Sequence, residues 1–213
     1  SSNIIFASVG FTPRSFHTDS INIFNSEILA RYIHYPSTTR IPRSIVVQTP
    51  SPGWCATFYL RDMVAFIKAN MPYHENILCK FANQIIFVVR GQDTKNNRDL
   101  SAKSLEQFLS FCQDSNIIVL DPSDYSFTEQ VAIFSSVRAV VGVHGAAFAN
   151  QIFCNINTRV LEFVPRSSSA IPTCYLSSVS QCHWSCFPLE YDVNGMLELK
   201  SYYHHHILNW LLN

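Results

Sequence analysis

The chain has 213 residues, 47% of them hydrophobic and 14% charged, and this composition excludes an intrinsically disordered protein. The length fits one large α/β domain, or one domain with a fragment of a second. Lys and Arg number 15 together, as do Asp and Glu, so no general positive field favours nucleic acid as a partner. Any anion must therefore be bound by local chemistry.

The first part of the chain, residues 1–83, is rich in Ser, Thr, Pro and aromatic residues and in turn signals. Brief apolar runs predict two short strands, at residues 4–9 and 44–48. Apolar residues at helical spacing, followed by Pro72, predict a helix over residues 55–70. We expect a globular region without a recognisable reactive cluster.

From residue 84 onward, strand and helix patterns alternate regularly. The predicted strands are residues 84–90, 116–120, 139–143 and 159–164. The predicted helices between them are residues 101–112, 126–137 and 145–153. This alternation, with strands rich in Val and Ile, predicts a parallel sheet flanked by helices over residues 84–213.

Seven cysteines raise the question of a metal site or disulfides. Cys182 and Cys186 enclose a His and a Trp, but no second ligand pair follows at the spacing of a zinc site. Residues 204–206 are three consecutive histidines, which on a helix point in different directions. We expect no metal, and small buried cysteines that leave room for one or two disulfides.

No run of the sequence is long and apolar enough to predict a membrane span, and no signal peptide is visible. The chain begins at Ser1 instead of Met, which favours a piece of a larger polypeptide or assembly.

The most informative stretch is residues 138–153, where an apolar strand stops at His144 and Gly145. Ligands of parallel sheets bind outside the carboxyl ends of the strands, and Arg90, His144 and Glu162 fall at or near such ends. Gly145 removes a side chain from the turn, and the helix after it offers free backbone amides to an anion. The pattern predicts a site for a nucleotide diphosphate.

Residues 124–165 resemble the core motif of the family 61 glycosyltransferases, and the resemblance extends over about residues 84–191. That family includes protein O-linked N-acetylglucosamine transferases and plant xylan-modifying pentosyltransferases. Its motif has a Gln on a helix, a strand ending in His-Gly-Ala, an Asn, and a strand ending in Leu-Glu and Pro, preceded by two Arg. The matching positions here are Arg90, Arg98, Gln130, His144, Gly145, Ala146, Asn150 and Glu162.

The resemblance implies a GT-B fold of two Rossmann-like halves. Residues 84–213 would be the half that binds the nucleotide sugar, and residues 1–83 a truncated acceptor-side half. It also implies an inverting transfer from a UDP-linked donor to a hydroxyl of a protein or glycan, without an essential metal or further cofactor. Family members of this kind act in the lumen of the secretory pathway.

Each candidate residue has a role that its chemistry supports. Arg90 and Arg98 can grip phosphate oxygens in pairs, with a solvated loop position as the alternative for Arg98. His144 can donate a hydrogen bond to a phosphate or to the sugar, and a structural role is its alternative. Glu162 would accept bonds from ribose hydroxyls, or serve in an ion pair. Gln130 and Asn150 are expected to brace the site by bonding the backbone of the His144 turn.

The catalytic base stays unassigned. The resemblance implies that the base comes from the N-terminal half, here the first part of the chain, and spacing does not choose among the His and Asp residues there. The candidates are His17, Asp19, His34, Asp62 and His74, of which Asp19, Asp62 and His74 are retained.

Two alternatives remain open. Ala147, Phe148 and Ala149 replace the family's usual Gly-Leu-Thr and remove a hydroxyl near the helix start. This favours a catalytically degenerate module for binding or assembly, cytoplasmic or virion-associated, within a larger protein, a viral one included. A Rossmann-like oxidoreductase is disfavoured, because no G-x-G-x-x-G follows a strand.

Overall fold

A computed structural model describes residues 6–9, 32–35, 57–89, 99–166 and 171–213. The chain divides into two compact units, the first formed by residues 1–73 with 126–128 and the second by residues 74–125 with 129–213. The second unit thus begins ten residues before the boundary expected at residue 84.

The described part of the first unit contains a pair of parallel strands and a helix. β1 (Phe6–Val9) pairs with β2 (Tyr32–Tyr35), and α1 spans Thr57–Asn70. β1 and α1 lie where the sequence predicts them, whereas β2 was not predicted. The strand predicted at residues 44–48 lies outside the described residues.

The second unit is built on a six-stranded sheet in the order β4-β3-β5-β6-β7-β8. The strands are β3 (Ile85–Val88), β4 (Ile118–Leu120), β5 (Ala139–Val143), β6 (Arg159–Pro165), β7 (His183–Tyr191) and β8 (Leu197–Glu198). The first five are parallel, and β8 pairs antiparallel with the end of β7. The expected parallel sheet is therefore present, with β7 and β8 as strands that were not predicted.

Helices connect these strands. The α-helices are α2 (Glu75–Phe81), α3 (Ala102–Asp114), α4 (Phe127–Ser136), α5 (Ile171–Ser180) and α6 (His204–Leu212). Three 3-10 helices are η1 (Pro122–Asp124), η2 (Ala146–Phe153) and η3 (Ser201–Tyr203). The helix predicted at residues 145–153 is thus of the 3-10 type, while α2 and α5 were not predicted.

Alternation of side chains along the strands gives the sheet two covered faces. On one face, Phe108 of α3 packs edge-on against Phe87 and Phe163, with ring centroids 4.8 and 5.6 Å apart, and Ile207 of α6 joins the same core. On the other face, Phe148 of η2 is fully buried beside β5.

The order of the strands reverses between β3 and β5. The chain runs from β3 outward to β4 and then returns to β5, on the opposite side of β3. In doubly wound sheets, ligands bind outside the carboxyl ends of the two strands at which the connections diverge. Here these strands are β3 and β5, and the residue after β5 is His144.

Candidate functional site

After β5 the backbone makes one further hydrogen bond to β6. The amides that follow are hydrogen-bond donors at the start of a helix. The amide of His144 donates to the carbonyl of Phe163 at 2.8 Å, so His144 still belongs to the ladder between β5 and β6. Gly145 is extended, and η2 begins at Ala146. Among the described residues, no acceptor is found for the amides of Gly145, Ala146 and Ala147. Such amides at the start of a helix can bind an anion.

His144 lies against a buried carboxylate. Its Nδ1 is 2.5 Å from Oε1 of Glu162. The side chain of Glu162 has no exposed surface, whereas that of His144 keeps 12%. Both side chains lie on the same face because Gly142 pairs with Glu162, and His144 stands two residues beyond Gly142.

The second carboxylate oxygen of Glu162 also accepts hydrogen bonds. Oε2 of Glu162 accepts a bond from Nε1 of Trp184 at 3.1 Å and another from the hydroxyl of Thr173. Trp184 comes from β7 and Thr173 from α5, so three elements each bring a donor to one buried carboxylate. A buried charge is tolerated when donors surround it in this way.

This arrangement fixes what His144 can offer to a ligand. With Glu162 ionised, Nδ1 carries the proton of this bond, which leaves Nε2 as the ring nitrogen that can meet another group. No partner for Nε2 is found in the part of the chain that the structure describes. The neutral ring would accept a bond at Nε2, and only the doubly protonated ring would donate one to an anion.

Gln130 and Asn150 brace a different turn from the one expected. Nε2 of Gln130 donates to the carbonyls of Pro122 and Tyr125, at 2.8 and 3.0 Å, and Asn150 donates to Oε1 of Gln130 at 2.9 Å. These bonds tie α4 and η2 to the turn after β4. No bond from either residue to the His144 turn is found among the described residues.

Glu162 was expected to accept bonds from a ribose. In the structure its two oxygens accept bonds from His144, Thr173 and Trp184, and no surface of the side chain is exposed. The alternative of an ion pair, here with His144, fits this geometry. Neither Thr173 nor Trp184 was predicted as part of the site, since neither stands at the carboxyl end of a predicted strand.

The remaining candidates are scattered or lie outside the described residues. Arg90, Arg98, His17 and Asp19 fall outside them, and His34 lies in β2. Asp62 is exposed on α1. His74 precedes α2, and no partner for its buried Nε2 is found among the described residues.

The described part of the chain holds no group of three or more His, Cys, Asp or Glu side chains arranged for a metal ion. Cys79, Cys112 and Cys186 are free thiols there. None of the helices in the described ranges is long and apolar enough to cross a membrane.

A parallel sheet with an amide-rich turn and a histidine beside a buried carboxylate at its carboxyl edge has donors that can bind an anion. Comparison with known families identifies the class as a glycosyltransferase, since the Glycosyltransferase 61 family model matches residues 23–161. The match covers more than half of the chain, and the chain belongs to the glycosyltransferase 61 family. No curated protein matches the sequence.

The matched range differs from the range in which the resemblance was found. It begins at residue 23, so it includes most of the region before residue 84, which the resemblance over residues 84–191 did not cover. It ends at Leu161, one residue before Glu162. Gln130, His144 and Asn150 lie inside the match, whereas Glu162 and its donors Thr173 and Trp184 lie at or beyond its end.

Proposed function

We propose that the chain binds a nucleoside-diphosphate sugar, UDP-linked, at the carboxyl edge of the second unit. The sugar would pass with inversion to a hydroxyl of a protein or glycan, without a metal. In this proposal the second unit is the donor half of a GT-B enzyme and the first unit is a truncated acceptor half. The observation that carries the proposal lies where the strand connections diverge: three amides for which the described residues provide no acceptor stand next to a histidine that contacts a carboxylate.

The amides and His144 suit the two halves of a pyrophosphate. The amides of Gly145, Ala146 and Ala147 are consecutive, and donors at a helix start carry partial positive charge. His144 adds a full charge when Nε2 is protonated, and Glu162 behind it stabilises that charged ring. Together they would neutralise an anion without the general positive field that the composition lacks.

The same groups would assist the reaction. The acceptor oxygen attacks the anomeric carbon, the bond from that carbon to the diphosphate breaks, and the electron pair leaves with the diphosphate. Donors aimed at the leaving phosphate stabilise the charge that grows there. The acceptor proton must go to a base, and a His144 that donates from Nε2 has no lone pair left for it. Asp19, Asp62 and His74 therefore remain candidates for the base.

Calorimetric titration with uridine diphosphate tests the binding site. We expect His144→Asn to weaken binding about tenfold or more, because it removes a charge-assisted bond to phosphate. Asparagine places an amide nitrogen near the position of Nδ1, so the bond to Glu162 and the melting temperature should be largely kept. His183→Asn is the matched control, since His183 is exposed at the start of β7. Absence of heat from the intact protein up to millimolar nucleotide would end the proposal.

A backbone substitution tests the amides separately. Ala146→Pro removes one N–H at the first position of η2, where proline is favoured, and Gly145 before it is extended as proline requires. We expect weaker binding of uridine diphosphate with an unchanged or slightly raised melting temperature. Unchanged affinity in this variant would show that the amide of Ala146 does not meet the phosphates.

A second candidate function is nucleotide-sugar binding without turnover. It is favoured by Ala149, which is exposed on η2 where the family pattern has a threonine. Hydrolysis of a UDP-sugar by the intact protein separates the two candidates. Release of sugar that depends on His144 supports the enzyme, and binding that never leads to release supports the module.

A further inference from the structure

We propose that Thr173 and Trp184 are positioning residues for His144, acting through the carboxylate of Glu162. By holding Oε2, they turn Oε1 toward Nδ1 of the histidine and so reserve Nε2 for the ligand. This inference rests on the proposed function for its role in binding, but the orientation of the ring can be measured without any ligand.

The first argument is the burial of the carboxylate. Glu162 has no exposed surface, so water cannot replace a donor that is lost. The recorded donors to Oε2 are the hydroxyl of Thr173 and the indole N–H of Trp184, and the recorded donor to Oε1 is His144. A carboxylate that lost its donors at Oε2 would rotate or shift toward the remaining one, and the imidazole would move with it.

The second argument is where the donors come from. Trp184 pairs with Val160 in the register of β6 and β7, two residues before the position of Glu162. Its indole must therefore reach along the sheet face toward the carboxyl edge. Thr173 reaches the same oxygen from α5, which packs over that face next to η2. Two separate elements thus fix one oxygen, and this determines the orientation of the carboxylate plane.

The hydrogen-bonded group of His144, Glu162, Thr173 and Trp184 also reaches the edge of the sheet at which the parallel strands begin. Trp184 lines a cavity of about 510 Å³ together with Arg159 and Trp210, near the first residues of β6 and β7. The guanidinium of Arg159 lies 5.4 Å from the centre of the Trp210 ring. Trp184 therefore connects this cavity with the histidine, and Trp210 offers a control in the same cavity.

Four substitutions separate positioning from simple packing. Thr173→Val removes the hydroxyl and keeps the shape, while Thr173→Ser keeps a hydroxyl and should restore the behaviour of the wild type. Ser177→Ala is the matched control on α5, because its hydroxyl bonds the carbonyl of Cys174. Trp184→Phe removes the indole N–H and keeps an aromatic ring.

The control for Trp184→Phe is Trp210→Phe. Trp210 lines the same cavity, contacts Arg159 and packs against the core that includes Ile207. This pair distinguishes loss of an N–H donor from loss of indole volume in the cavity.

The primary readout is the imidazole ¹⁵N spectrum of His144 in the free protein, assigned by the loss of its signals in His144→Asn. In the wild type we expect a proton fixed on Nδ1. In Thr173→Val and Trp184→Phe we expect the two ring nitrogens to become averaged, with uridine diphosphate bound about fivefold more weakly. Thr173→Ser, Ser177→Ala and Trp210→Phe should keep the wild-type spectrum.

The outcomes separate this inference from the proposed function. If Nδ1 stays protonated in both Thr173→Val and Trp184→Phe, the positioning role is wrong even when affinity falls. If the wild type binds no nucleotide but its ring loses the Nδ1 preference in both variants, the positioning role stands and the proposed function fails. Melting curves identify a variant that does not fold. If either Thr173→Val or Trp184→Phe does not fold, the spectrum of the other variant tests the positioning role.

Discussion

Gly142→Ala is expected to lower the stability of the fold more than the addition of a single methyl group suggests. A Cβ at residue 142 would lie 2.6 Å from the carbonyl oxygen of Val88 and 3.0 Å from Cε2 of Phe148, whereas ordinary contact begins at 3.4 Å. The oxygen belongs to the backbone of β3, which pairs with β5 at this residue. Phe148 is fully buried and has no open space into which to turn. Relief therefore requires β3 and η2 to move away from β5.

The expected loss of stability is about 3 kcal/mol, the upper end of the range for overpacking a core. For a chain of this length, that corresponds to a fall in melting temperature of roughly 6–12 °C. Gly195→Ala is the matched control, because Gly195 has a φ of +73° and no atom within 4 Å of a built Cβ. Its cost comes only from the left-handed backbone conformation and is about 1 kcal/mol.

Urea denaturation followed by circular dichroism measures both variants, and the shift in midpoint gives the difference in unfolding free energy. Because η2 begins with the amides that we propose to bind the phosphates, Gly142→Ala should also weaken uridine diphosphate binding, whereas Gly195→Ala should not. The reasoning is refuted if Gly142→Ala costs no more stability than Gly195→Ala.

Two further predictions concern buried titratable groups. Burial, with a smaller contribution from His205, lowers the pKa of His204, so the unfolded chain binds this proton more tightly and stability falls as the pH drops below about 6.5. His204→Phe should flatten that fall in urea titrations at pH 5 and 8, and an unchanged slope contradicts the assignment. Burial raises the pKa of the Cys112 thiol to about 12, so iodoacetamide at pH 8 should modify the exposed Cys79 and Cys186 and leave Cys112 intact, as peptide mass mapping can show.

The central strands could be predicted because strands that are buried on both faces consist of consecutive apolar residues. β5 was predicted with the bounds that the structure has, Ala139–Val143. β7 was missed because its outer edge pairs with β8 only at Glu190 and Tyr191, so most of its side chains are partly or fully exposed. Pro188 inside it also argues against a strand, although an edge strand tolerates proline.

The composition of the site was harder to predict than its location. Strand ends placed His144 and Glu162 at the same edge of the sheet, but their contact depends on the register that pairs Gly142 with Glu162. A shift of one residue would have turned the carboxylate to the opposite face. Trp184 carries no local signal for its role, because its partner is 22 positions away on a different strand.

The stability of the fold does not explain why residue 162 is a glutamate. A buried carboxylate with its partners is on average no more stabilising than a well-packed apolar side chain of similar size. Its neighbours on the same face of β6, Val160 and Val164, are buried valines, so an apolar residue at position 162 would fit the strand pattern. Burial alone therefore does not account for a carboxylate that occupies donors from three elements. In the proposed function, control of the imidazole beside the first amides of η2 accounts for it, because a leucine at position 162 could pack there but could not hold a proton on Nδ1.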